Sequence, residues 1–140
     1  MAITPGMCNS FKAELLGMAT HVSTDVFKFA LFSSAATIGP TSTAYAVTNE
    51  VAATGGYTAG GFTLSGFTAS LDGTVGILDF ADVTVSSATI TARGGMIYNS
   101  SKGNKAVAVF DFGADITSTN GIWSAPMPAP AAATAVLRVA

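Results

Sequence analysis

Cysteine, histidine and charge are all scarce in this chain. Among 140 residues there is one cysteine, Cys8, one histidine, His21, and a charged fraction of only 10%. A single cysteine excludes an internal disulfide, which fits a reducing compartment better than a disulfide-stapled secreted module. A single histidine excludes a cluster of imidazoles able to hold zinc. The six basic residues, Lys12, Lys28, Arg93, Lys102, Lys105 and Arg138, are scattered, and the net charge of −2 has the wrong sign for a surface that tracks phosphates. No nucleic-acid partner is expected, and Lys102 with Lys105 reads as a solvated loop. Long apolar runs are missing too. Nothing approaches the roughly 18 residues of a membrane-spanning helix, and the alanine-rich stretch 125–136 is interrupted by Pro126, Pro128 and Pro130, so no membrane partner is expected. No basic residue precedes Lys12, so the N-terminus is not expected to act as a secretory signal. Asn99-Ser100-Ser101 is then a chance match to a glycosylation acceptor.

What is present is apolar and small. Hydrophobic residues make up 49% of the chain and its mean hydropathy is +0.51. A surface this poor in charge either hides some of itself against a partner or is simply neutral, coated with Thr, Ser, Gly and Ala. A single domain of this length buries roughly two-thirds of its unfolded surface and needs no disulfide or metal to fold.

The central stretch, 57–112, strings strand-length apolar runs between turn signals. Phe62, Leu64 and Phe67 lead into 68–71, Asp72-Gly73 supplies a two-residue hairpin turn, and Thr74 begins the return strand. There Val75, Ile77 and Ala81 oppose Leu78 and Phe80, so both faces are covered. Val83 and Val85 share one phase and Ala88, Ile90 and Ala92 the other, which places a bulge or bend at Ser86-Ser87. Gly94-Gly95 breaks the run again, 96–98 is a short strand, and 105–112 alternates with Ala106, Ala108, Phe110 and Phe112 on one face.

Flanking this centre, residues 1–22 form an arm and a short helix that caps at Asn9 or Ser10, ends near Gly17 and lines up Met7, Phe11 and Leu15. Asp25 opens a strand with Phe27, Phe29 and Leu31 inward and Lys28 outward. Residues 44–54 fit either a helical turn or a strand, and two glycine pairs bracket Tyr57. Asn120-Gly121 marks a further hairpin with Ile122 and Trp123 on its return limb. The Pro/Ala-rich segment 125–132 runs extended along the surface, and Ala135, Leu137 and Val139 close the chain as a strand. The pattern predicts one all-β domain over 1–140, a jelly-roll or antiparallel β-sandwich with one short N-terminal helix.

No reaction is spelled out. Cys8 has no CxxC partner and reads as a buried thiol, and His21 as a loop or packing residue. Asp72, Asp79, Asp82, Asp111 and Asp115 match no calcium loop. Asp79 and Asp111 are expected to pair with Arg93 or Lys105 rather than with each other. No catalytic, cofactor or metal residue is named, and no enzyme activity is expected.

Several segments are familiar in their order: CNSFKAELL near Cys8, DVFKFALFSS from Asp25, TAYAVTNEV from Thr43, GYTAGGFTL from Gly56, ATITARGGMIYN from Ala88 and KAVAVFDFG from Lys105. Together they resemble small virion proteins of tailed bacteriophages, most closely the capsid cement, or head-decoration, proteins of short-tailed phages. The resemblance implies a jelly-roll made in the host cytoplasm that sits as a homodimer on the outside of the mature icosahedral head, bridges major capsid subunits and stabilises the shell. The expected grip on the capsid is Met7, Phe11 and Leu15 together with Trp123 and Met127, large apolar residues beside Pro-rich chain, unless they complete the core of this domain itself. The main rival is a tail- or fibre-associated adhesin using Tyr57, Tyr98 or Trp123 as a glycan platform. A jelly-roll enzyme with an acidic pair at Asp79 and Asp111 is the other.

Overall fold

The computed structural model describes residues 2–17, 20–125 and 137–139. In chain order these form β1 (Gly6–Met7), α1 (Asn9–Gly17), β2 (Phe27–Phe32), β3 (Phe62–Thr63), β4 (Thr68–Asp72), β5 (Val75–Asp79), β6 (Val83–Asn99), a 3-10 turn (Ser100–Lys102), β7 (Lys105–Ala125) and β8 (Leu137–Val139). They build two antiparallel sheets, ordered β1-β7-β6-β2-β3 and β4-β5-β8. The chain is thus an all-β sandwich with one short N-terminal helix, and the neighbours β4 and β5, and β6 and β7, pair as hairpins.

β2 lies inside the larger sheet, and every residue of it except Lys28 is buried. Phe27, Phe29 and Leu31 point inward as the alternation predicts, and Ala30 and Phe32 on the opposite face are equally enclosed. The second face is closed by the loop after β2, whose Tyr45 ring stacks on Tyr98 with centroids 4.5 Å apart and leans on Phe32. That loop is residues 33–61. It includes 44–54, which is neither helix nor strand; it is tied down by the bridges Phe32↔Glu50 and Ala44↔Lys105.

The β6–β7 ribbon shapes the other face. Phe112 and Trp123 are eleven positions apart on β7, and a straight strand rising about 3.3 Å per residue would separate them by roughly 36 Å. Their ring centroids are 6.1 Å apart, and Trp123 also meets Phe62, which pairs with Phe29. The ribbon therefore folds back over its own sheet. The turn-back falls where β6 advances two residues, Ala92 to Gly94, while β7 advances five, Asp111 to Ile116. Asp111 holds it: its Oδ1 accepts from the Gly113 N–H at 2.9 Å and from Arg93 Nε at 3.2 Å.

Several sequence expectations change in this light. Asn120-Gly121 is not a hairpin turn. β7 runs through it, with Asn120 at φ 50 as an extra residue that compensates the extra residue Ser87, φ 53, on β6. Asn tolerates the left-handed region in a bulge as readily as in a turn, so the dipeptide carries both meanings. The bulge expected at Ser86-Ser87 is present. Gly94-Gly95 does not end a strand. A Cβ at Gly94 would lie 2.4 Å from the Phe110 carbonyl oxygen, and one at Gly95 would lie 2.5 Å from the Phe29 ring, so these glycines admit close neighbours inside one long strand. A register shift at Ile97/Tyr98 pairs Ala106 with Tyr98, on the opposite face from Ala108. The first hairpin turn is Gly73-Thr74, one residue later than expected, with Gly73 at φ 64. Met7 belongs to β1, where it pairs with Ala108, rather than to the helix. Of the segment 125–132, all but Ala125 lies outside the described residues.

Gly95→Ala is expected to destabilise the protein by about 2–3 kcal/mol through overpacking against Phe29. Gly73→Ala, with open space around its Cβ, should cost about 1 kcal/mol from backbone strain alone. Urea unfolding of the two variants checks the order.

Candidate functional site

The helix α1 has only nine residues and would be marginal by itself. Its first turn closes through the Cys8 carbonyl, which accepts from the Lys12 N–H, so Cys8 rather than Asn9 or Ser10 caps it. Its start is tied to the body by the Asn9 N–H, which donates to the Pro40 carbonyl at 2.8 Å, and two side chains fix the rest. Phe11 is 2% exposed and packs on the His21 ring, 4.8 Å between centroids, while Glu14 reaches both His21 Nε2 at 2.9 Å and Lys105 Nζ at 3.2 Å. Leu15, one turn beyond Phe11, is 37% exposed, and Leu16 is 82% exposed.

Facing α1 is the inner side of the small sheet, where the register aligns Ala69 with Leu78 and Leu78 with Leu137. Helix and sheet do not close on each other. Between them lies a cleft of about 200 Å³, lined chiefly by Met7, Phe11, Leu15, Ala69, Leu78 and Leu137, with no charged residue among the described lining. A smaller recess of about 80 Å³ continues behind Phe11 and Leu15 toward Phe67, Phe80 and Val107. Val22, which lines this recess, is exposed, and along β4 Leu71, on the same side of the strand as Ala69, is 75% exposed. The cleft is smaller than the 300 Å³ or more of a drug-sized site, so it suits one or two inserted apolar side chains.

Two polar networks brace the surroundings. In the first, Asp25 accepts from Asn99 Nδ2 at 2.7 Å, from the Val22 N–H at 3.1 Å and from Lys102 Nζ at 3.1 Å. Burial alone would raise the Asp25 carboxyl, but these donors outweigh it and hold it below the usual carboxylate range. Glu14 is lowered in the same way, its burial overcome by His21 and Lys105. In the second, Glu50 accepts from the hydroxyls of Tyr45 and Tyr57, both at 2.6 Å, and from the Gly60 N–H at 2.8 Å. Burial first, and Glu50 second, push both tyrosines well above the ordinary phenol range. This second network pins the 33–61 loop and offers no open face.

Of the five residues named from sequence, the structure brings Met7, Phe11 and Leu15 together along the cleft. Trp123 is corrected: at 1% exposure it is a core residue of the folded-back ribbon. Met127 lies outside the described residues. Sequence reasoning missed Ala69, Leu78 and Leu137, because the pairing of β5 with β8 brings distant positions side by side and leaves no local signal.

The other candidates are accounted for by packing. Tyr57 and Tyr98 are buried along with Trp123, so none of the three offers an exposed glycan platform. Asp111 clamps the ribbon, Asp79 is buried on β5 in the other sheet with one carboxylate oxygen unbonded, and Lys105 pairs with Glu14. The Cys8 thiol is pushed up to about 11, by burial and then by the Glu14 charge. Among the described residues no group of His, Cys, Asp and Glu is placed to hold a metal ion, and no helix is long and apolar enough to cross a membrane. No family model matches the chain, and no curated protein and no solved structure matches it.

Asp25, Glu14 and Asp111 all have lowered folded-state values. Each therefore contributes stability that is present above the ordinary carboxylate range and is lost as pH falls through the folded value. Asp25→Asn should lower stability near pH 7 and flatten the acid limb of the stability–pH curve, read from urea midpoints between about pH 7 and pH 2.

Proposed function

We propose that this protein is a phage capsid cement protein that acts by binding rather than catalysis, placed on the outer surface of the head and docked on major capsid subunits through the cleft between α1 and the small sheet. The order of segments along the chain supports the partner, and the cleft supports the mode. It is the observation that carries the reading: an uncharged apolar opening whose wall holds Met7, Phe11 and Leu15, the last of them open to solvent.

The physical role follows from linkage. An outer protein that contacts neighbouring subunits binds only the assembled shell, so its binding free energy adds to the stability of that state alone. Each buried Leu-sized side chain contributes about 1.5–3 kcal/mol. The edge of β4 adds backbone groups to the same contact. This strand has five exposed residues, no register shift and neither proline nor lysine, so it lacks the bulges that interrupt β7. A second copy bound on the same shell completes the homodimer that the resemblance implies.

The test is binding of purified protein to heads lacking it, followed by heat or low-salt challenge of decorated and bare particles. Saturable binding with better survival is expected. Leu15→Glu should weaken binding at least tenfold while costing no more than about 1–2 kcal/mol of folding stability, read from the urea midpoint, since Leu15 is 37% exposed rather than fully buried. Binding to tails or cells instead of heads would replace the cement reading with the adhesin one, and binding indifferent to Leu15→Glu would remove the cleft from it.

A further inference from the structure

We propose that His21 is a proton-sensitive latch, joining α1 to the end of β6 only while its Nδ1 is unprotonated. The hydrogen bonds around Asn99 fix the state of the ring. Asn99 is fully buried; its Oδ1 accepts from the Ser101 N–H at 3.0 Å, and its Nδ2 donates to Asp25 Oδ2 at 2.7 Å. Turning the amide over would set its oxygen against a carboxylate and its NH2 against a backbone N–H, so the orientation is determined. The second amide hydrogen then points at His21 Nδ1, 2.9 Å away. That nitrogen must accept, and the ring proton sits on Nε2, donating to Glu14 Oε1 at 2.9 Å.

A proton added at Nδ1 would place two donors face to face. The groups around the ring decide which contact gives way. Glu14 comes from α1, with Lys105 of β7 on its other oxygen. Asp25 of the preceding loop and Lys102 of the 3-10 turn meet beyond Asn99, and the Phe11 and Phe27 rings fill the remaining sides. A protonated ring keeps its bond to the Glu14 carboxylate, so the contact that breaks is the one to Asn99. The α1–His21 unit then parts from β6, loosening the wall that carries Phe11 and Leu15. Only the consequence for docking rests on the proposed function; the latch itself does not.

Nitrogen-detected NMR of the intact protein at about pH 7.5 should show His21 as the Nε2–H tautomer; the Nδ1–H tautomer would overturn the latch. Amide exchange supplies the second reading. On moving from about pH 7.5 to about pH 5.5, α1 protection corrected for intrinsic rates should fall about fivefold, the worth of one ordinary hydrogen bond. His21→Gln, which retains a donor for Glu14, should show no such fall, and an equal fall in both proteins would overturn the proposal. If His21→Gln does not fold, the tautomer and the wild-type exchange decide. A latch confirmed by both readings in a protein that ignores heads would refute the docking role and leave the latch standing.

Discussion

The fold depends on one bend. A hairpin as long as β6–β7 would, if straight, leave one face of its outer half in water, and Trp123, Ile90 and Ala88 would be stranded there. By advancing five residues against two between Asp111 and Ile116, the ribbon turns back and lays that face over Phe62 and Phe112. The offset would leave backbone donors unpaired. The Asp111 carboxylate takes one of them, the Gly113 N–H, and the Arg93 guanidinium beside it as well. The backbone bond comes first and Arg93 second in holding that carboxyl below its usual range. An acidic residue in an apolar strand, which could suggest chemistry, is here the clamp on a bulge.

With the ribbon folded back, what is left uncovered is the end of the larger sheet around Phe27. The small sheet and α1 are both needed there, and neither is large enough to seal against the other. β4 remains exposed along its whole length, α1 offers one buried aromatic, and the cleft is what remains between them. The chain as a whole carries few charges, and on the β6–β7 ribbon Thr84 meets Ser124 and Thr91 meets Thr117. Such a surface has few charges to strip of water, and its hydroxyls are cheap to bury only where a partner hydrogen-bonds them.

The local parts of this arrangement were legible in the sequence. Alternation located the strands, Ser86-Ser87 announced a phase change that is a bulge, and Gly17 ended the helix where it was expected to. What failed was most of what depends on which distant strand lies next to which. Asn120-Gly121 satisfies the chemistry of a turn and of a bulge alike, and only the partner strand decides between them. Gly94-Gly95 reads as a break until the Phe29 ring is seen to occupy the missing side chain's place. Trp123 looked like an anchor because aromatics beside prolines often are, and only the bend makes it core. The candidate site was half visible: Met7, Phe11 and Leu15 come from one contiguous segment, whereas Ala69, Leu78 and Leu137 reach the same cleft from three different strands.

The size of the cleft bears on how such a protein could act. An opening that takes one or two apolar side chains supplies a few kcal/mol before the entropy of association is subtracted. In the proposed role, that is too little to hold a free capsid subunit at ordinary concentrations. On a shell, however, the contact recurs around a symmetric lattice, and a molecule touching two neighbours gains its second contact at high effective concentration. Weakness toward the free subunit and strength toward the shell are then the same property. A deep, tight cleft would sequester unassembled subunits, whereas a shallow one rewards only the assembled state.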